Sequence, residues 1–131
     1  MSLTLSLDFQ FTTSIENIWS ALTDSSKLAK WVMENDFKPE VGHRFQFRTQ
    51  PTEWWNGIID GEVLIVDAPN RLSYTMESGE KHTVTWTLQD LGDGKVNVHL
   101  EQTGISNDQA LAGAKYGWIK WGGELEKLLE Q

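Results

Sequence analysis

The sequence predicts an α+β domain in which a curved antiparallel sheet of about six strands wraps around a long C-terminal helix, in the order β-α-α-β-β-β-β-β-α. Three observations carry this. Apolar and polar residues alternate from Leu3 to Phe11 and again across most of residues 43–103, the period-two pattern of strands with one dry face. Between these runs Ile15, Ile18, Trp19 and Leu22 recur at helical spacing. The last segment carries one apolar stripe, Leu111, Ala114, Trp118, Trp121, Leu125 and Leu128. A sheet with one apolar face must cover it, and that stripe is the cover.

The first strand sets Leu3, Leu5, Leu7, Phe9 and Phe11 against Ser2, Thr4, Ser6, Asp8 and Gln10. Thr13-Ser14-Ile15-Glu16 reads as a capping box, with Thr13 the cap and Glu16 reaching back. Asp24-Ser25-Ser26 breaks the first helix, and a shorter one carries Leu28 and Trp31. After a loop through Pro39 and Gly42, the strand period returns with His43, Phe45 and Phe47 inward and Arg44, Gln46 and Arg48 outward.

A long strand is predicted from about Trp54 to Asp67. Its inward set is Trp55, Gly57, Ile59, Gly61, Val63 and Ile65, and its other set is Trp54, Asn56, Ile58, Asp60, Glu62, Leu64 and Val66. Adjacent residues of a strand face opposite ways, so Trp55 is expected to be a wall and Trp54 to stand at a rim or on the outer face. A bulge at Asn56-Gly57 would exchange the two. Beyond the turn Asp67-Ala68-Pro69-Asn70, the inward residues are Leu72, Tyr74 and Met76, then Val84, Trp86 and Leu88. After the turn Leu91–Lys95 they are Val96, Val98 and Leu100.

The C-terminal helix opens on Ser106-Asn107-Asp108-Gln109, read as a second capping box. Glycines at 113, 117, 122 and 123 interrupt it, each at a cost of about 1 kcal/mol relative to alanine. Gly122 falls within the apolar stripe and Gly117 on its edge. A gap there either lets the helix approach the sheet or leaves room for something else, and Gly122-Gly123 would also suit a kink.

Composition excludes several function classes. Eleven basic residues against 19 acidic ones give a net charge of −8 with no Lys/Arg cluster, the opposite of a nucleic-acid or anionic-membrane footprint. With no cysteine, there is no disulfide, thiol nucleophile or thiolate metal site. The N-terminal MSLTLSLDFQF has neither a basic start nor a continuous apolar run, so no signal peptide is expected, and no run approaches a membrane span. The expectation is one soluble cytoplasmic domain over residues 1–131.

No catalytic motif stands out. His99 shares a face with Lys95, Asn97 and Glu101 and is expected in water. His43 and His82 fall in phase with inward residues at strand starts, where edge histidines cap a core. None of the three has metal-ligand spacing. Asp60 and Glu62 share a face with Asn56 and read as solvated strand acids rather than an acid–base pair. There is no Gly-x-Ser-x-Gly elbow and no Gly-x-Gly-x-x-Gly run after a strand.

Four stretches together resemble the helix-grip fold of the START-like (SRPBCC) superfamily, and within it the family named after the activator of the heat-shock-protein-90 ATPase. They are IENIWSALTDSSKLAKWV (Ile15 to Val32), PEVGHRFQFR (Pro39 to Arg48), GEVLIVDAPNRLSYT (Gly61 to Thr75) and YGWIKWGGELEKLL (Tyr116 to Leu129). The resemblance implies a cavity between the long helix and the sheet, which superfamily members use for apolar molecules and some use for catalysis. It implies, as a second role, a co-chaperone type of protein interaction.

The expected function is non-enzymatic binding of a small apolar or aromatic molecule, with no cofactor and no metal. Trp31, Phe45, Phe47, Trp55, Ile59, Tyr74, Met76, Trp86, Trp118 and Trp121 are the expected cavity residues, with Trp54, Arg48 and His82 at the rim. Each aromatic alone reads better as core. Their number, beside helix glycines that remove volume, favours an aromatic-lined pocket with few polar anchors. Tyr74 and the indole N–H groups are the anchor candidates, since they need partners when buried. The alternatives are a module acting on an ATPase chaperone and an enzyme, a cyclase or hydrolase, that draws on His43, His82 or Tyr74.

Overall fold

A computed structural model of the chain describes residues 2–53 and 55–130. Strand β1 (Leu3–Thr12) leads into helices α1 (Ile15–Thr23) and α2 (Ser25–Trp31). Strands β2 (Glu34–Asn35), β3 (Arg44–Arg48), β4 (Ile58–Asp67), β5 (Arg71–Ser78), β6 (Glu80–Gly92) and β7 (Lys95–Ile105) follow, and helix α3 (Asp108–Leu129) ends the chain. The sheet is a seven-stranded antiparallel one in the order β1-β7-β6-β5-β4-β3-β2, curved around α3 in the helix-grip manner. The strand beyond the six expected is β2, whose two residues pair with Phe47 and Arg48 at the sheet edge. Such a short edge strand leaves little unpaired backbone to recruit other chains.

The helix starts differ from the expected caps by one residue. Ser14, not Thr13, caps α1 by accepting from Asn17 N, while Thr13 Oγ1 accepts from the Asn17 side chain. Asn107, not Ser106, caps α3 by accepting from Ala110 N at 2.8 Å, and the Ser106 hydroxyl instead donates to Glu80. In both places neighbouring residues are all competent caps, and the entry angle of the chain selects among them. Asp24 serves both short helices, its backbone N–H closing α1 and its carboxylate capping α2.

Strand β4 begins at Ile58, four residues later than the sequence predicts. Asn56-Gly57 is the turn that feeds it: Ile58 N donates to Asn56 Oδ1, and Gly57 has φ +77°. The bulge lies farther along. Val63 pairs with Tyr74 but Ile65 with Ser73, so one extra residue enters β4 there. The phase flips behind it. Ile65, expected inward, is exposed, while Val66 packs against the core.

The inner face of the sheet and the helices bury an aromatic cluster. Phe37, which the pattern did not single out, meets Phe45 and Tyr74 edge-on, with centroids 4.9 and 5.8 Å away. Trp86 sits between Trp31 and Trp118, again edge-on. Two indole donors of this cluster are satisfied: Trp31 Nε1 donates to Ala21 O and Trp86 Nε1 to Tyr74 Oη. Helix α3 runs unbroken through Gly122-Gly123. Among the described residues no helix is long and apolar enough to cross a membrane.

Candidate functional site

Between the first two-thirds of α3 and the sheet lies a partly open cavity of about 350 Å³. The helix contributes Ala110, Gly113, Ala114, Gly117, Trp118 and Trp121, which recur at spacings of three and four along one face. The first four carry a methyl group or nothing, so α3 stands off from the sheet there without filling the gap. A Cβ at Gly113 or Gly117 would meet no atom within 4 Å. Trp118 and Trp121 pack edge to face at 5.0 Å and close the far end.

The sheet contributes Ile59 from β4, Met76 and Ser78 from β5, Glu80 and His82 from β6, and Gln102 from β7. The polar groups of Gln102, His82 and Glu80 form one chain with Trp118. Trp118 Nε1 donates to Gln102 Oε1 at 2.6 Å, and Gln102 Nε2 meets His82 Nδ1 at 2.6 Å. His82 Nε2 stands 3.3 Å from Glu80 Oε2, which also accepts from Ser106 Oγ. Apart from Ser78, the rest of the lining is apolar, so the cavity is greasy with one polar edge.

Of the residues named from the sequence, Ile59, Met76, Trp118, Trp121 and His82 line this cavity. Trp31, Phe45, Phe47, Tyr74 and Trp86 do not border it. Each is at most 4% exposed and packed in the core, where Trp86 backs Trp118 with centroids 5.3 Å apart. Burial pushes the Tyr74 phenol well above its ordinary range, so it stays neutral and serves as the acceptor for Trp86 Nε1. Trp55 is half-buried in a separate shallow cleft beside Asn56, Ile58, Asp60 and Glu77. Arg48 points outward and pairs with Asp36 at 3.1 Å. The backbone N–H of Gln46, with Arg48 beside it, holds the Asp36 carboxyl below the usual range. Trp54 lies outside the described residues.

The other histidines are placed away from the cavity. His43 Nε2 contacts the Asp36 carbonyl, and His99 Nδ1 meets Asp8 on the outer face. Gln102 and Glu80 were not anticipated. A signal for Gln102 existed, because it is the next inward position after Val96, Val98 and Leu100. A glutamine there breaks the apolar run, and buried glutamine needs partners.

The family model described as "Activator of Hsp90 ATPase homolog 1-like protein" matches residues 12–130. No curated protein sequence matches the chain. Among solved structures, protein MLL2253 from Mesorhizobium loti is 35% identical with a TM-score of 0.88, over 98% of this chain and 97% of that one. PFC0360w, an HSP90 activator from Plasmodium falciparum, is 17% identical with a TM-score of 0.83, over 98% and 96%. CalU16 from Micromonospora echinospora is 21% identical with a TM-score of 0.82, over 96% of this chain and 65% of that one. With its sheet closed on a glycine- and tryptophan-bearing helix, and with nearly its whole length matched, the chain belongs to the family of activator of Hsp90 ATPase homolog 1-like proteins, in the helix-grip superfamily.

Proposed function

We propose that this protein binds a small apolar or aromatic molecule in the cavity between α3 and the sheet, without transforming it. The observation that carries this reading is the contrast along α3. Trp118 and Trp121 offer flat apolar surface, while Ala110, Gly113, Ala114 and Gly117 leave the space beside them empty. Cavities of a few hundred Å³ with apolar walls and few polar groups are the usual form of small-molecule sites. Catalysis has little to draw on. Tyr74 is sealed in the core and His43 is turned away, which leaves His82 and Glu80 as the ionisable side chains on the lining. The test is a screen of fatty acids, sterols and polyphenols, read by tryptophan fluorescence and thermal shift on wild type and Trp118→Ala. Binding tighter than millimolar that weakens in the variant supports the reading, and a library with no such binder defeats it.

A second reading, docking to a chaperone or another protein, draws on the family assignment and on Tyr116 and Ile119. These sit 72% and 51% exposed on the outer side of α3. Retention of wild type but not of a Tyr116→Ser/Ile119→Ser variant on an immobilised Hsp90-type chaperone would favour it.

A further inference from the structure

We propose that the polar edge of the cavity selects a hydroxyl group, so that the ligand is an aromatic alcohol rather than an aromatic acid. This rests on the small-molecule reading above and adds the ligand's chemical class. The argument starts at Trp118, whose indole N–H can only donate. The Gln102 atom facing it at 2.6 Å is therefore the carbonyl oxygen. That leaves the Gln102 amide NH₂, also only a donor, 2.6 Å from His82 Nδ1, which must accept. In the neutral ring the proton then sits on Nε2. Turning the Gln102 amide over would set donor against donor at Trp118, so the indole fixes the histidine tautomer from two residues away.

His82 Nε2–H is buried and, among the described residues, has no aligned acceptor. Glu80 Oε2 is near enough for an ion pair at 3.3 Å but off the line a hydrogen bond needs. Glu80 accepts from Ser106 and, as a carboxylate, has capacity for further donors. The edge thus offers one donor lacking an aligned acceptor beside one anionic acceptor with lone pairs to spare. A ligand carboxylate would accept from Nε2 but meet the charge of Glu80. An ammonium would satisfy Glu80 and leave Nε2 unpaired, and an ether or ketone would do the reverse. A hydroxyl does both, its oxygen accepting from His82 and its proton going to Glu80. The Glu80 side chain, 37% exposed, has solvent to draw back into as the hydroxyl seats. Trp118, Trp121, Ile59 and Met76 supply the surface for an aromatic body, and a net charge of −8 further disfavours acids.

The experiment titrates the protein with 2-naphthol, 2-naphthoate and 2-methoxynaphthalene at pH 8, following backbone amide shifts by NMR. Binding of 2-naphthol at least tenfold tighter than of the other two is expected, with Glu80→Gln bringing naphthol and naphthoate within about threefold of each other. Equal or tighter naphthoate binding to wild type overturns the proposal. If methoxynaphthalene binds as well as naphthol, the hydroxyl selection falls while the binding reading stands; if none of the three binds, both fall. A ligand-free measurement decides independently. The ring ¹⁵N shifts of His82 at pH 8 should show a protonated Nε2 and a bare Nδ1, and the reverse pattern overturns the proposal.

Discussion

Gly122 is pressed against Phe9: a Cβ at position 122 would stand 2.7 Å from Phe9 Cε1, inside any real carbon–carbon contact. Five residues earlier on the same helix, a Cβ at Gly117 would meet nothing within 4 Å. Sequence pattern left two readings of these glycines, close approach or empty space, and α3 contains one of each. At Gly122 the absent side chain lets α3 lie on β1. At Gly117 and Gly113 it leaves the cavity open.

The same substitution should therefore change sign along one helix. Gly117→Ala and Gly123→Ala are expected to stabilise the protein by up to about 1 kcal/mol each, since alanine is the better helix former and no atom opposes the methyl group. Gly122→Ala gains the same propensity but must displace the Phe9 ring, which is stacked on Phe11. Overpacking of that kind costs about 1–3 kcal/mol, so a net loss of about 1 kcal/mol is expected. Urea unfolding of the three variants checks this, and a stabilised Gly122→Ala would show that Phe9 yields freely.

Gly117→Leu should fill the cavity that Gly117→Ala only narrows. The expected result is a loss of at least about tenfold in affinity for any ligand found by screening, equivalent to about 1.4 kcal/mol. Stability should be unchanged or raised by the added apolar contact. Gly123→Ala, exposed on the far side of the helix, is the control that should leave affinity untouched. An unaltered Kd for Gly117→Leu would place the ligand elsewhere.

How much of this was legible in the sequence depended on whether one local rule decided each feature. The strands of β1, β5, β6 and β7 were readable because alternation over eight residues or more tolerates one phase. Val63-Leu64-Ile65-Val66 was not, because four consecutive apolar residues fit either phase and only pairing with β5 reveals the extra one. Phe37 went unread because it lies between elements, where no periodicity marks an inward residue. The division between cavity and core was hidden for a different reason. Tyr74 and Met76 share a face of the same strand, yet one packs under Phe37 and the other borders open space. That difference is set by where α3 stands off, which depends on contacts between positions far apart in the chain.

Removing the Trp118 indole N–H tests the polar chain from its buried end. Trp118→Phe keeps an aromatic ring against Trp86 but strips Gln102 Oε1, in a side chain only 6% exposed, of its donor. An unpaired buried acceptor costs about 1–3 kcal/mol. Trp118→Phe should cost less in a Gln102→Leu background than in wild type, because no acceptor is then left to orphan and the loss of the Gln102–His82 bond is common to both members of that comparison. An equal cost in the two backgrounds would show that this bond contributes little.

Tyr74 makes a pH-dependent prediction whose sign follows from burial. Its phenol is held far above the ordinary value of about 10, so the folded state keeps the proton at pH values where the unfolded chain releases it. Above about pH 10 the unfolded state then binds fewer protons than the native one, and stability falls as pH rises, by up to about 1.4 kcal/mol per unit. The contribution is fully present below pH 10 and is lost above it. Tyr74→Phe removes this slope and, at neutral pH, costs about 1–3 kcal/mol because Trp86 Nε1 loses its acceptor. Wild type should accordingly lead the variant at pH 8, and the lead should narrow between about pH 10 and 11 in urea unfolding. Every ionisable group other than Tyr74 is common to both proteins, so the difference between them isolates Tyr74. A lead that stays constant with pH would mean that Tyr74 reaches solvent and ionises in the folded protein.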